Sequence, residues 1–209
     1  MKLFWSSRSP FVFKIMVVAS ELGIESLIEK IPTVVSEKPP LLLEANPLGQ
    51  IPTLVRNDGR PLADSPVICE YLEVHFGEGR LFPNDPEARW QALAWQSLAD
   101  GMIQASLLRN KEISRAADAS LRDQLRATLP DKVERGMDRI ERDIEGLSGE
   151  PFGIAQIAIG SALAYVDFRS AHIDWRSRLP KTASWMAQFY GRPSVAQNAL
   201  YDERSAGPC

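Results

Sequence analysis

The stretch "KLFWSSRSPFVFKIMVVASELG", Lys2 to Gly23, decides how the chain begins. Leu3 to Trp5 is a short apolar run that reads as a buried strand, and Pro10 to Leu22 reads as a helix stopped by Gly23. Between them stand Ser6, Ser7, Arg8 and Ser9, too polar for either element. Working outward, Ile24 to Ile31 contains a second strand, so the chain opens β-α-β. Pro39-Pro40 starts a short segment that stops at Asn46-Pro47-Leu48-Gly49. "IPTLV", Ile51 to Val55, is a third strand. The turn Asn57-Asp58-Gly59 then leads to a fourth that ends near Ala63, since Asn-Asp-Gly between apolar runs is a hairpin signal. "DSPVICEYLEVHF" opens a helix with Ser65 as N-cap and Pro66 at its first position. Val67, Ile68, Tyr71, Leu72, His75 and Phe76 share a stripe at helical spacing. Strands joined by a helix and followed by a hairpin make a small mixed sheet with helices packed on it.

"GEGRLFPNDP", Gly77 to Pro86, has no periodicity and reads as a linker. The patterns beyond it are all helical. Glu87 to about Asn110 is one helix, and about Asp118 to Leu147 is charged and amphipathic. Gly153 to Arg169 is nearly all apolar and reads as a helix buried on most sides. Thr182 to Tyr190 is another. The expected organisation is a small α/β domain at residues 1–77, a linker at 78–86 and an all-helical domain at 87–209.

The 209 residues are 44% hydrophobic and 24% charged, with a net charge of −3, which suits an ordinary globular protein. Basic residues are scattered among acidic ones, so no footprint for nucleic acid appears. No apolar run approaches the roughly 20 residues that span a bilayer. Ser6 to Pro10 and Lys14 interrupt the N-terminal run too early for a signal peptide. Two cysteines, Cys69 and Cys209, and two histidines, His75 and His172, make neither a disulfide framework nor a metal site. The cytoplasm is the default compartment.

Three places could carry chemistry. Ser9 before Pro10 suits an N-cap, where its oxygen merely prevents fraying. The same helix start also presents unpaired N–H groups and a positive dipole end to an anion, and a hydroxyl there could donate to a bound thiolate. In "NPLGQIP", a turn at Pro52 can leave the backbone N–H and C=O of Ile51 facing a groove, where an extended peptide pairs as an extra strand. At the third helix start, Ser65 could hold a carboxylate and Asp64 an ammonium, the two charges of one α-amino acid end. Together they suit an anionic peptide bearing a thiol. Other residues take structural readings: Cys69 as a buried small hydrophobe, Trp90, Trp95 and Met102 as core, Arg109, Lys111 and Arg115 as a solvated face, and His75 as a helix-end residue.

With these residues in view, the chain resembles a glutathione transferase over nearly its full length. The likeness lies in "SPFVFKIMVVASELGI", "SEKPPLLLEANPLGQIPTLV" and "DSPVICEYLEVHFG", and in "IAQIAIGSALAYVDFR" of the second half. The resemblance implies an α/β thioredoxin-like N-terminal domain that binds glutathione. It also implies an all-α C-terminal helical bundle that walls the electrophile site. Serine before "PF" is similar to the tau class and to bacterial relatives with that motif, where the omega class has cysteine. Carried over by position, Ser9 would activate the thiol and Phe11 would wall it. Ile51, ahead of a cis-Pro52, would pair with the cysteinyl unit. Asp64 and Ser65 would take the γ-glutamyl end, with Lys38 and Gln50 at the glycine end. Ser6 and Ser7 are alternative hydroxyls.

The buried helix begins "GIAQ", where relatives usually have Ser or Thr followed three residues later by Asp, so that reciprocal cap is expected to be missing. The implied protein is a cytoplasmic, homodimeric detoxification enzyme that uses glutathione and no metal, attacking a small hydrophobic electrophile. The alternative is a non-catalytic glutathione- or ligand-binding protein, or a protein-interaction module, on the same fold.

Overall fold

The opening run forms strand β1 (Lys2–Trp5), and Pro10 starts helix α1 (Pro10–Glu21), as their patterns predict. Ser9 is extended and its Oγ accepts from the Val12 N–H at 3.3 Å, the bond expected of an N-cap. At the other end Gly23 takes a positive φ of 73°. Its N–H donates to the Ser20 carbonyl and the Ile24 N–H to the Ala19 carbonyl, a Schellman closure in which glycine avoids a Cβ penalty. The remaining strands are β2 (Glu29–Pro32), β3 (Thr53–Val55) and β4 (Pro61–Ala63), shorter than the apolar runs that contain them. The sheet order is β2-β1-β3-β4, parallel between β1 and β2 and antiparallel elsewhere. Pro32 sits at the end of an edge strand, where its missing N–H costs no ladder bond.

A computed structural model describes residues 1–202, in two units: Met1–Trp90 with the chain from Pro193 onward, and Gln91–Arg192. Cys209 lies outside the described residues. In the first unit, helices α2 (Pro40–Ala45) and α3 (Ser65–Phe76) join α1 and the sheet. Helix α3 buries Ile68, Cys69 and Leu72, while Val67 of the expected stripe is 49% exposed. The buried Glu73 accepts from the Leu81 N–H, which ties the following linker to α3.

The second unit takes in most of helix α4 (Pro86–Arg115), then α5 (Ala119–Ala127), α6 (Asp131–Gly149), α7 (Ile154–Ser170) and α8 (Pro180–Tyr190). The amphipathic stretch 118–147 is therefore two helices, because Pro130 favours extended backbone in the residue before it and serves as the N-cap of α6. Helix α7 is buried along most of its length, as its composition predicts. Its start corrects one expectation. The Gln156 Oε1 accepts from the Gly153 N–H at 3.0 Å, and its Nε2 donates to the Leu147 carbonyl at 3.0 Å. Glycine has no side chain to complete the box, but glutamine supplies the returning half.

Arg109 corrects another. Rather than facing solvent it is 5% exposed. Its guanidinium donates to the carbonyls of Leu125 and Arg126 and to Ser170 Oγ, clamping the last turn of α5. Burial holds that guanidinium below its ordinary pKa. Of the tryptophans read as core on α4, Trp90 is 64% exposed and Trp95 half-buried, whereas Met102 is buried as expected.

Helix α9 (Pro193–Ala196) was not legible in the sequence, and it lies against α1 within the first unit. Ser194 Oγ donates to Glu21, and Gln197 Nε2 donates to Ser20 and Glu25. Farther along, Ser7 Oγ donates to the Tyr201 carbonyl at 2.8 Å and the Tyr201 N–H returns to the Ser7 carbonyl at 3.3 Å. This strap follows α1 from its last turn back to its first.

Candidate functional site

Register explains why residues distant in sequence meet. Phe4 pairs with Thr53, and Thr53 with Ala63, so these three form one row across the sheet. At about 4.8 Å between strands the row is roughly 10 Å wide, the length of an extended tripeptide. The chain leaves β1 beyond this row toward Ser9, enters β3 from Ile51-Pro52, and leaves β4 into Asp64-Ser65. Because Trp5 pairs with Pro32 in the parallel ladder, the connection leading to Lys38 leaves by the same edge. Ser9, Lys38, Ile51, Pro52, Asp64 and Ser65 thus all adjoin one edge of one sheet.

Each position has its own local cause. Ser9 accepts from the Val12 N–H, so its hydroxyl proton remains available to an acceptor at the start of a 12-residue helix. The neighbouring serines are occupied differently: Ser7 donates to Tyr201, and Ser6 Oγ accepts from the Arg8 N–H at 3.4 Å. Phe11 is half-buried in the first turn of α1, with Lys14 Nζ 5.6 Å from its ring centre. The peptide bond between Ile51 and Pro52 is cis, and the backbone N–H and C=O of Ile51 find no partner among the described residues. The Asn46 side chain buttresses this turn by donating to the Gln50 carbonyl at 3.1 Å and to Thr53 Oγ1 at 3.0 Å. Gln50 itself is exposed, as is Lys38, which stands at a left-handed φ of 50°.

The third helix start differs from its sequence reading. Asp64, not Ser65, is the N-cap, at a left-handed φ of 70°, and its Oδ1 accepts from the Ser65 N–H at 2.7 Å. Ser65 is the first helical residue, fully buried, and its Oγ has no hydrogen-bond partner. A buried hydroxyl left unpaired costs about 1–3 kcal/mol. Such exceptions are uncommon enough to need a reason. The shift from Ser65 to Asp64 could not be read from the sequence, because either side chain can cap and only the backbone decides.

Sequence reasoning missed a cavity of about 250 Å³. It lies against α1 under the strap, lined among others by Trp5, Phe13, Met16, Lys30 and Ala199, and of the predicted site residues Ser9 and the alternative hydroxyls Ser6 and Ser7 reach it. Among the described residues no cluster of three His, Cys, Asp or Glu side chains could hold a metal, and no helix is long and apolar enough to cross a membrane.

The glutathione S-transferase N-terminal domain model matches residues 8–75, and the C-terminal domain model residues 118–188. The uncharacterized GST-like protein YibF of Escherichia coli K12 is 33% identical over 139 residues, 66% of this chain and 67% of that one. A glutathione transferase family member from Pseudomonas fluorescens Pf-5, solved with bound glutathione, superposes with a TM-score of 0.85 at 33% identity, covering 96% of this chain and 99% of that one. The Methylobacillus flagellatus glutathione S-transferase, also with glutathione bound, gives 0.84 at 33% identity and the same coverage. Mouse glutathione S-transferase omega-1 matches over 52% of its own length. The chain belongs to the glutathione S-transferase superfamily.

Proposed function

We propose that the protein is a serine-type glutathione transferase, in which Ser9 holds the glutathione thiol as thiolate for attack on a small electrophile. The observation that carries this is the pairing of an available Ser9 hydroxyl with a helix start, at the sheet edge that also presents the unpaired backbone of Ile51. In this reading the cysteinyl backbone pairs with Ile51 beside Pro52, and the γ-glutamyl carboxylate satisfies the buried Ser65 hydroxyl while Asp64 takes the ammonium. Lys38 and Gln50 meet the glycine end, and Phe11 shields the sulfur. That the Pseudomonas and Methylobacillus relatives were solved with glutathione supports this choice of peptide.

The energetics are adequate. A thiol of pKa about 8.5 is only a few per cent ionised at neutral pH. Lowering it by about two units takes roughly 2.7 kcal/mol. A charge-assisted hydrogen bond of about 1.5–3 kcal/mol and a helix N-terminus of about 0.3–1 kcal/mol reach that sum. No metal enters the reaction, and the protein acts in the cytoplasm as a homodimer. Support for a partner copy comes from α3, which exposes Val67 (49%) and Val74 (72%) seven residues apart on one helical face.

The test is the ultraviolet thiolate absorbance of bound glutathione as a function of pH. A bound pKa well below that of free glutathione is expected. Binding at the free pKa would leave a glutathione-holding protein without the activating step.

A further inference from the structure

Ser9 stands at the end of a tight turn, and the C-terminal strap holds the middle of that turn. We infer that Ser7 is a positioning residue for Ser9: through Tyr201 of the strap it fixes the turn that aims the Ser9 hydroxyl. The inference rests on the Ser9 reading and goes beyond it, since Ser7 has no part in holding the peptide in that reading.

The turn is closed by its own first residue. The Ser9 N–H donates to the Ser6 carbonyl at 3.2 Å, and the Arg8 N–H donates to Ser6 Oγ at 3.4 Å. Ser6 to Ser9 is therefore a four-residue turn with Ser7 and Arg8 at its centre. The carbonyl and hydroxyl of Ser7 lie outside the closing bond, and both go to one partner. Its Oγ donates to the Tyr201 carbonyl at 2.8 Å, and its carbonyl accepts from the Tyr201 N–H at 3.3 Å. Ser7 is 5% exposed, so little water competes for these bonds. Its hydroxyl proton is committed to the strap, whereas that of Ser9 is available.

Close packing does not hold the turn instead. Trp5, Ser6, Ser7 and Ser9 all line the cavity of about 250 Å³, so one side of the turn faces open space rather than packed side chains. The strap itself is well fastened. Gln197 Nε2 donates to Ser20 and Glu25, and Ser194 Oγ to Glu21, in the last turn of α1 and just beyond it. The helix that starts at Ser9 is thus tied back to the Ser6–Ser9 turn by a second route besides the chain itself. Precision matters here, because hydrogen bonds weaken steeply with distance and angle. A misplacement of about 1 Å in a reacting group costs on the order of 10²-fold in rate.

Four variants of the full chain separate the parts. Ser7→Ala removes the hydroxyl, and Ser7→Thr keeps it, with the cavity beside it to receive the extra methyl. Tyr201→Pro removes the N–H of the strap while all three serine hydroxyls remain. Tyr201→Ala removes only the exposed ring and keeps the backbone pair.

The readout is the pKa of bound glutathione by ultraviolet thiolate absorbance, beside its Kd. Ser7→Ala and Tyr201→Pro should each raise that pKa by about half a unit or more, roughly a threefold loss of thiolate at a fixed pH below it. The Kd should move less than about twofold, because a displaced hydroxyl weakens the thiolate rather than the peptide contacts. Ser7→Thr and Tyr201→Ala should match the unmodified protein. A merely structural role would lower Tm without moving the pKa.

A thiol pKa unmoved in both Ser7→Ala and Tyr201→Pro overturns the inference and leaves the Ser9 reading intact. A rise in Ser7→Ala alone makes Ser7 itself the activating hydroxyl, and a rise equal in Ser7→Thr assigns the effect to packing; either overturns it as well. If the unmodified protein shows no depressed pKa, the Ser9 reading fails instead. Amide hydrogen exchange by NMR then judges the hold on the turn. Exchange at the Ser9 and Val12 amides at least about fivefold faster in Ser7→Ala, with the middle of α1 unchanged, supports it, and equal rates refute it.

Discussion

Replacing Ser9 separates two jobs assigned to one oxygen. As an N-cap it accepts from the Val12 N–H at 3.3 Å; as a donor it would stabilise a thiolate. Ser9→Ala loses both, and Ser9→Gly loses the hydroxyl while remaining a tolerable cap. Losing a serine cap to alanine costs about 1 kcal/mol, and to glycine only a few tenths. For a chain of this size 1 kcal/mol corresponds to about 2–4 °C in Tm. The thiolate loses a charge-assisted bond of about 1.5–3 kcal/mol, or about 1–2 pKa units, in both variants alike. The dipole of α1 and its free N–H groups remain, so part of the depression survives. Scanning calorimetry reads the first quantity and pH-dependent thiolate absorbance the second. Ala and Gly should differ in Tm and agree in thiol pKa. A pKa that stays put in both variants refutes the activating hydroxyl, and one that rises only in Ser9→Ala assigns the effect to the helix start itself.

Ser65→Ala removes a buried hydroxyl that has no partner, so the free protein should keep or slightly gain stability while the Kd for glutathione rises about tenfold; calorimetric titration beside thermal unfolding checks both. Gly160→Ala would bring a Cβ to 2.2 Å from the Phe189 ring. Overpacking of about 1–3 kcal/mol should outweigh the roughly 1 kcal/mol gain in helix propensity, seen as a lower Tm. Glu141 gives a pH test. Burial opposes its charge, but the Thr182 hydroxyl and N–H and the Lys181 N–H donate to it at the start of α8, and they hold its pKa below the ordinary 4.5. Its contribution is complete above that value and is lost as pH falls through the lower folded one. The unmodified protein should therefore lose more stability below about pH 4.5 than Glu141→Gln does, and parallel denaturation curves across that range would contradict the assignment.

The first unit was largely legible because its punctuation is local. Pro10 and Gly23 bracket α1, and Asn57-Asp58-Gly59 turns β3 into β4, each acting through its own φ. The candidate site was legible to the extent that it sits on helix and strand starts. What the sequence hid depends on partners far along the chain. Arg109 is buried because it meets carbonyls 16 and 17 residues later, which no periodicity on α4 announces. Gln156 caps Gly153 within the motif, but its second bond, to the Leu147 carbonyl, lies outside the motif window. The cavity is bounded by a segment whose four-residue helix has too few turns to show a pattern, and whose place is fixed by Ser7, Ser20 and Glu21.

That segment has a bearing on biosynthesis. The first unit is assembled from residues 1–90 and from the chain beyond Pro193, with about a hundred residues between. At about 5–20 residues per second, the ribosome takes roughly 5–20 s to deliver the strap after Trp90 is made. Through that interval the nascent α1 and the loop carrying Ser9 wait without α9 or the Ser7–Tyr201 pair. The serine proposed for catalysis is therefore synthesised well before the segment that secures the loop around it.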